Sequence, residues 1–192
     1  LIAIGGATEE ESFEVQAKVA IPSSEKMIST IESHPEIIII RKRHYHQFDA
    51  YMKFDDPSQG YVRYREDHFI GEKGEITNVR NRLTLIGKTR EHPFKEDVVL
   101  SRSRYLAPAA QSLRFYKEYF KPQHITEIEK HRQRWLIQYK ETEFFINLDQ
   151  FDVPKLGSFL EVKSKTWSEQ DAEKKAHLAE DLLRLLGASL AD

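Results

Sequence analysis

The chain has 192 residues, 40% of them hydrophobic, which is enough for one sizeable core but only marginally enough for two domains. Lysine and arginine total 29 against 31 for aspartate and glutamate, so the overall charge gives no reason to expect a membrane or a nucleic acid as partner. The absence of cysteine excludes disulfides, thiolate metal sites and cysteine nucleophiles, and favours a cytoplasmic protein. We expect one soluble domain over residues 9–192, preceded by a ragged end or linker from a longer chain at residues 1–8.

Strands dominate the predicted secondary structure. Apolar and polar residues alternate over residues 13–21, and similar stretches rich in β-branched and aromatic residues recur between clusters of Gly, Pro, Asp and Ser. The further predicted strands, in meander order, are 37–43, 44–54, 60–66, 77–88, 94–100, 125–140, 142–151 and 157–165.

Three helices are predicted between these strands. The first covers residues 23–33, and the second covers 109–120 after Pro108. In the last, Ser168 supplies an N-cap and Gly187 a C-terminal stop around a run of apolar residues at helical spacing. The chain therefore combines a large antiparallel sheet with a few helices.

Charged side chains occupy alternate positions on one face of nearly every predicted strand. The basic ones are Arg63 and Arg65, then Arg80, Arg82 and Lys88, then Lys130, Arg132 and Arg134. In an ordinary sandwich such a face is solvated. In a barrel the same face points inward, where so much like charge requires an anionic ligand. The pattern alone leaves both interpretations open.

Six motifs, in order over residues 12–163, resemble those of the CYTH, or triphosphate tunnel, proteins. They are Glu14, Gln16 and Lys18 for E-x-E-x-K; Gln47, Asp49 and Tyr51 for Q-x-D-x-Y; Arg63 and Arg65 for R-x-R; residues 83–88 for L-T-x-K-G; Lys130, Arg132 and Trp135 for K-x-R-x-x-W; and Asp149, Val153, Leu156, Gly157, Phe159 and Glu161 for the closing stretch.

The resemblance implies an α+β fold, in which a closed eight-stranded antiparallel β-barrel carries peripheral helices, one of them C-terminal. In such a tunnel, basic side chains from opposite walls hold a triphosphate or polyphosphate, and acidic side chains hold one or two divalent cations. The chemistry is consistent, because Arg and Lys donate charge-assisted hydrogen bonds to phosphate oxygens, while Mg²⁺ or Mn²⁺ prefers carboxylate oxygens.

The resemblance also implies the site residues. The phosphate-binding side chains are Lys18, Arg63, Arg65, Arg82, Lys88, Lys130 and Arg132. The metal ligands are Glu14, Asp149 and Glu161, and the catalytic residues are Glu14, Lys18 and Glu161. Capping of a turn is an alternative role for Asp149. His44, His46, His68 and His131 have no zinc-type spacing with other ligands, so we interpret them as surface or barrel polar groups.

Three residues depart from the family motifs, and two of them concern the metal site. Gln16 stands where the opening motif has its second carboxylate, and Lys163 stands where the closing motif has its second acid. A carboxamide binds Mg²⁺ weakly, so both departures weaken a metal site. Ile86 replaces a lysine, but Lys88 lies two residues on and therefore on the same strand face.

Several functions are compatible with these residues. The leading hypothesis is a metal-dependent hydrolase of a linear triphosphate, either tripolyphosphate or the triphosphate end of a nucleotide, thiamine or RNA. The alternative is a non-catalytic phosphate-sensing module fused to further domains, which the loss of two acids favours. Adenylate cyclase activity ranks lower, because no segment is assigned to a base pocket. An RNA-binding barrel ranks lower still, because the net charge is near zero. A homodimer stays open.

Overall fold

The computed structural model describes residues 13–56, 60–86, 92–95, 98–101, 105–166 and 168–188. These ranges contain ten β-strands and three α-helices. The strands are β1 (Phe13–Ile21), β2 (Ile38–Lys53), β3 (Tyr61–Ile70), β4 (Ile76–Ile86), β5 (His92–Lys95), β6 (Val98–Ser101), β7 (Tyr105–Pro108), β8 (His124–Tyr139), β9 (Thr142–Val153) and β10 (Gly157–Thr166). The helices are α1 (Ser24–Ser33), α2 (Leu113–Phe120) and α3 (Glu169–Leu185).

All ten strands belong to one sheet, in the order β5-β6-β1-β10-β9-β8-β2-β3-β4-β7, and every neighbouring pair is antiparallel. The antiparallel α+β architecture is thus confirmed. The predicted closure is not, because β5 and β7 end the sheet and no pairing joins them in the described ranges. The sheet has ten strands where eight were expected, and β5, β6 and β7 have only four residues each. The predicted strand 94–100 is divided between β5 and β6, and β7 was not predicted. The predicted strands 37–43 and 44–54 form the single strand β2.

The helix predictions are confirmed in number, and two of the three N-caps explain where the helices begin. Ser168 Oγ accepts a hydrogen bond from the Asp171 backbone N–H at 3.1 Å, as predicted for α3. Ser112 caps α2, so this helix begins four residues later than the predicted 109–120. None of the helices that the structure describes combines the length and the apolar character needed to cross a membrane.

The main hydrophobic core lies between helices α1 and α3 and one face of β1, β8, β9 and β10. Val15 and Leu160 belong to this core together with Leu182 of α3. Trp135 is completely buried there, and its Nε1–H donates to Glu32 of α1 at 3.2 Å. Because side chains alternate along a strand, the residues between these core positions point to the opposite side of the sheet.

A second, smaller core lies under α2 on the same side of the sheet. Tyr116 of the helix packs there against Ala50 and Met52 of β2 and against Val62 and Tyr64 of β3. The helices therefore cover one side of the sheet, here called the outer face. The opposite side carries the alternating charged residues of β1 to β4 and β8 to β10, and is here called the polar face.

Candidate functional site

The middle of the polar face is buried rather than solvated. Seven charged side chains are buried among the described residues, and all seven lie on this face: Asp49, Arg63, Arg65, Asp67, Lys130, Arg132 and Asp149. In a sandwich with one solvated face these groups would contact water. Their burial therefore decides between the two interpretations, in favour of a charged face that points inward.

Asp149 of β9 holds two basic side chains of the neighbouring strand β8. Lys130 Nζ donates to Asp149 Oδ2 at 2.8 Å, and Arg132 donates through Nε and Nη2 at 2.5 and 2.6 Å. Burial raises the pKa of Asp149, but Arg132 and Lys130 outweigh it and hold that pKa well below its ordinary value. Asp149 is therefore a carboxylate in the middle of a strand, and it caps no turn.

Lys130 loses its proton more easily than an ordinary lysine. Burial, followed by repulsion from Arg132, lowers the pKa of Lys130 to about 7, although Asp149 acts in the opposite direction. The side-chain amine of Lys130 is thus only partly protonated near neutral pH. An additional negative charge beside it would raise this pKa and draw a proton onto Lys130.

A second group of ion pairs joins β2, β3 and β4. Arg65 donates through Nε and Nη2 to both oxygens of Asp49, each at 2.6 Å. Asp67 accepts from Nη2 of Arg80 at 2.9 Å and from Nη2 of Arg82 at 2.7 Å. Arg65 is therefore fixed along one edge by Asp49, as in the bidentate pairs that Arg forms with planar oxyanions, whereas Arg80 and Arg82 share one oxygen of Asp67.

Two buried guanidinium nitrogens have no acceptor among the described residues, namely Arg63 Nε and Arg82 Nε. Arg63 Nε lies 3.9 Å from Asp49 Oδ1, too far for a hydrogen bond, while its Nη2 donates to Thr84 Oγ1 at 3.1 Å. A buried donor without an acceptor costs free energy. An anion that reached these nitrogens would recover that cost.

The β1–β10 part of the polar face carries the remaining carboxylates. Glu161 accepts from Asn147 Nδ2 at 2.6 Å and from Arg132 Nη2 at 3.3 Å. Burial raises the pKa of Glu161, but the positive charges of Arg132 and Lys163 outweigh this effect and bring the pKa down to about 2. Glu161 is therefore ionised at neutral pH. Glu14 lies 3.3 Å from Lys163 Nζ, so the lysine that replaces a family carboxylate neutralises another one.

Lys18 lies at the exposed end of the polar face. Its Nζ is 5.1 Å from the ring centroids of both Phe151 and Phe159. Lys130 Nζ is also 5.1 Å from the Phe151 centroid, so the two ammonium groups contact one aromatic ring. The structure thereby brings together two of the predicted phosphate-binding lysines, one exposed and one buried.

The three predicted metal ligands are not gathered at one point. In the register of the β1 and β10 strands, Glu14 lies opposite Lys165, and Lys18 lies opposite Glu161. Glu14 and Glu161 are thus four positions apart in the β1–β10 register, or about 13 Å at about 3.3 Å per residue. Both oxygens of Asp149 already accept from basic side chains. These residues do not form a protein cage for Mg²⁺. The ion usually uses one or two carboxylates together with substrate phosphates, and the ionised Glu161 fits that smaller role.

Two site residues were not predicted, and one predicted residue falls outside the part of the chain that the structure describes. Lys88 is outside the described residues. Asp67 and Asn147 were not predicted as site residues, yet both are completely buried on the polar face. Asp67 follows Arg65 by two positions, so the strand alternation already placed it on the same face.

Comparison with known proteins identifies the fold. No protein-family model and no curated protein matches the sequence. Among solved structures, the PH1819 protein of Pyrococcus horikoshii OT3 is similar, with a TM-score of 0.65 and 18% identity over 92% of this chain and 91% of that one. The Mimivirus capping enzyme triphosphatase gives a TM-score of 0.52 and 12% identity over 96% and 91% of the two chains. A Hippeastrum adenylyl cyclase candidate with a dominant triphosphatase activity gives 0.53 and 13% over 93% and 92%. The chain has a CYTH, or triphosphate tunnel, fold.

The triphosphate tunnel fold accounts for the buried middle of the polar face. Identities below a fifth show the fold and not the reaction, so the site must be argued from this chain's own residues. The family resemblance predicted from the six motifs is confirmed at this level. The buried ion pairs on β2, β3, β8 and β9 lie on the polar face of this fold.

Proposed function

We propose that the protein binds a linear triphosphate against its polar face and hydrolyses it with the help of a divalent cation. The observation that carries this proposal is the burial of four basic side chains, Arg63, Arg65, Lys130 and Arg132, on one face. Gathering like charges away from water is costly, and a polyanion offsets that cost. The triphosphatase activity stated for two proteins of the same fold supports this function.

The proposed phosphate-binding groups come from two walls. Arg63, Arg65 and Arg82 lie on β3 and β4, and Lys130 and Arg132 lie on β8. Lys18 on β1 and Lys88 complete the set implied by the motifs. In this arrangement the unpaired Nε atoms of Arg63 and Arg82 donate to phosphate oxygens. Lys130 adds a point charge whose protonation the ligand itself promotes.

The proposed cation is Mg²⁺ or Mn²⁺, shared between the triphosphate and Glu161. When bound, it would supply charge neutralisation to the phosphate oxygens. Glu161 suits this role because it is ionised and its side chain stays 16% exposed. Glu14 would contribute only after leaving Lys163. We assign Asp149 chiefly to orienting Lys130 and Arg132, since its two oxygens already accept from them.

Hydrolysis also needs a water molecule aligned with the phosphate that leaves. A carboxylate that stays ionised can orient this water by accepting one of its protons, and Glu161 and Glu14 are the proposed groups. Lys18, at the exposed end of the face, is proposed to neutralise charge on the departing phosphate. This division of roles leaves the buried arginines to hold the rest of the chain of phosphates.

The test is phosphate release from tripolyphosphate with Mg²⁺ or Mn²⁺, run beside a thermal-shift titration of the same ligand. Glu161→Gln should abolish release while the ligand still raises Tm. Glu173→Gln, an exposed position on α3, is the matched control and should behave as the unchanged protein. If tripolyphosphate neither raises Tm nor is hydrolysed by the unchanged protein, the proposal is wrong.

One observation favours a binding module instead of an enzyme. Glu14 is paired with Lys163, and Gln16 lies between Glu14 and Lys18 on the same face, so the β1–β10 wall offers few free acids. A module of this kind would bind tripolyphosphate with the same arginines and release no phosphate. An increase in Tm without release, under conditions that saturate the cation, would select this second function.

A further inference from the structure

The outer face carries a row of histidines on the side opposite the polar face. His68 of β3 pairs in register with His46 of β2, and His46 pairs with His131 of β8. Their strand neighbours Gln47 and Lys130 point to the polar face, so the histidines point away from it. Pairing across strands thus joins residues that are 22 to 85 positions apart in the chain, which is why no zinc-type spacing is visible in the sequence.

The side chains of this row lie close enough to share a ligand. The His46 and His131 rings are stacked, with centroids 4.6 Å apart and planes inclined by 12°. His131 Nε2 lies 3.6 Å from Asp152 Oδ2, and His46 Nε2 lies 2.7 Å from Glu129 Oε1. Donor atoms of His46, His131 and Asp152 all fall within 4.8 Å of one another.

A β-bulge places the carboxylate beside the rings. The β8–β9 register shifts between Glu129 and Lys130, where Glu129 pairs with Val153 and Lys130 with Phe151, so that Asp152 is the extra residue. Bulges redirect a side chain locally and are common near functional positions.

We propose that His46, His131 and Asp152 form a second cation site, separate from the tunnel, for a divalent transition metal such as Zn²⁺. Two imidazole nitrogens and one carboxylate oxygen suit Zn²⁺, whereas Mg²⁺ prefers oxygen ligands alone. Glu129 lies beside this group, where its carboxylate is the hydrogen-bond partner of His46 Nε2. The inference does not depend on the proposed function, because the two sites use opposite faces of the sheet.

Metal binding requires the two rings to rotate out of their stacked arrangement, because the nitrogen lone pairs of parallel rings do not converge on one ion. Tetrahedral Zn²⁺ with bonds of about 2.0–2.1 Å needs donor atoms about 3.3 Å apart. The three side chains are 32%, 46% and 38% exposed, so their rings and carboxylate can rotate without disturbing the core. A bound ion would connect β2, β8 and β9 on the outer face and should raise Tm.

The test is titration of the untagged protein with ZnCl₂ by isothermal calorimetry, in the absence of phosphate. The unchanged protein should bind one equivalent, and His131→Gln and Asp152→Asn should each bind at least about tenfold more weakly. His124→Gln is the matched control, because His124 is 74% exposed on the same strand β8 and lies outside the row. Its affinity for Zn²⁺ should be unchanged.

Two results would overturn the proposal. One is an equal Zn²⁺ affinity in the unchanged protein and in His131→Gln, including the case in which neither binds. The other is loss of Zn²⁺ binding in Glu161→Gln with retention in His131→Gln, which would place the ion in the tunnel. As a spectroscopic check, Co²⁺ bound at this site should show the visible absorption bands of a complex with few ligands. His46→Gln should remove these bands.

Discussion

Proton uptake by Lys130 should accompany triphosphate binding. The unliganded pKa of Lys130 is about 7 because the side chain is buried beside Arg132, whereas the ordinary value is 10.5. A bound triphosphate places negative charge beside the amine and favours its protonated form. Above the unliganded pKa, binding must therefore take up a proton, and the affinity should fall as pH rises.

The size of the effect follows from these two values. If the ligand restores the ordinary pKa, the affinity should fall about tenfold at about pH 8 and about a hundredfold at about pH 9, each relative to about pH 6. Lys130→Met removes the titrating group and keeps a side chain of similar length. Its affinity should be lower at about pH 6 but should lack this part of the pH dependence.

Calorimetry in buffers of different ionisation enthalpy measures the proton directly. Tripolyphosphate binding to the unchanged protein at about pH 8.5 should take up about one proton more than binding to Lys130→Met. Titration of the ligand itself contributes equally to both proteins and cancels in the difference. Equal proton uptake by the two proteins would show that Lys130 does not face the ligand, and would refute the reasoning.

Three further predictions concern the ion pairs of the polar face. Arg132→Ala leaves a buried carboxylate without its main partner and should lower the free energy of unfolding by about 3–5 kcal/mol in urea denaturation. Arg184→Ala, at a side chain 67% exposed on α3, should change it by less than about 0.5 kcal/mol. Glu161 has a folded-state pKa of about 2 against an ordinary 4.5. A depressed carboxyl pKa stabilises the fold above the ordinary value, and this contribution is lost as pH falls towards the folded value. Glu161→Gln should therefore flatten the fall of Tm in that window, and an unchanged slope would contradict the assignment. Restoring carboxylates with Gln16→Glu and Lys163→Glu should raise the affinity for Mn²⁺ in the presence of tripolyphosphate, and no change would mean that these positions do not face the metal.

The strands and their faces could be predicted from the sequence, because alternation is a local property. The alternation of Arg63 and Arg65 with Val62 and Tyr64 places the two arginines on one face, as observed. What alternation cannot show is whether that face meets water or protein. The burial of Asp49 beside Arg65 depends on the curvature of the whole sheet, and only the structure shows it.

The metal ligands and the histidine row depend on register, which local sequence does not contain. Glu14 and Glu161 were grouped from motifs, but the β1–β10 register separates them by four positions. His46 and His131 are far apart in the chain, yet adjacent strands stack their rings. Four of the six motifs contain residues now found in buried ion pairs, which explains why the fold could be recognised from the sequence.

The most direct test of the account is calorimetric binding of tripolyphosphate to the unchanged protein and to Arg63→Gln. Arg63 is the suitable position because its buried Nε has no acceptor among the described residues and is therefore free to donate to a ligand. The account predicts one bound tripolyphosphate per chain and an affinity lower by about tenfold to a hundredfold in Arg63→Gln, the value of a charge-assisted hydrogen bond, with Arg184→Gln unchanged. Equal affinities for all three proteins, with Tm showing that Arg63→Gln is folded, would contradict the claim that the polar face binds triphosphate.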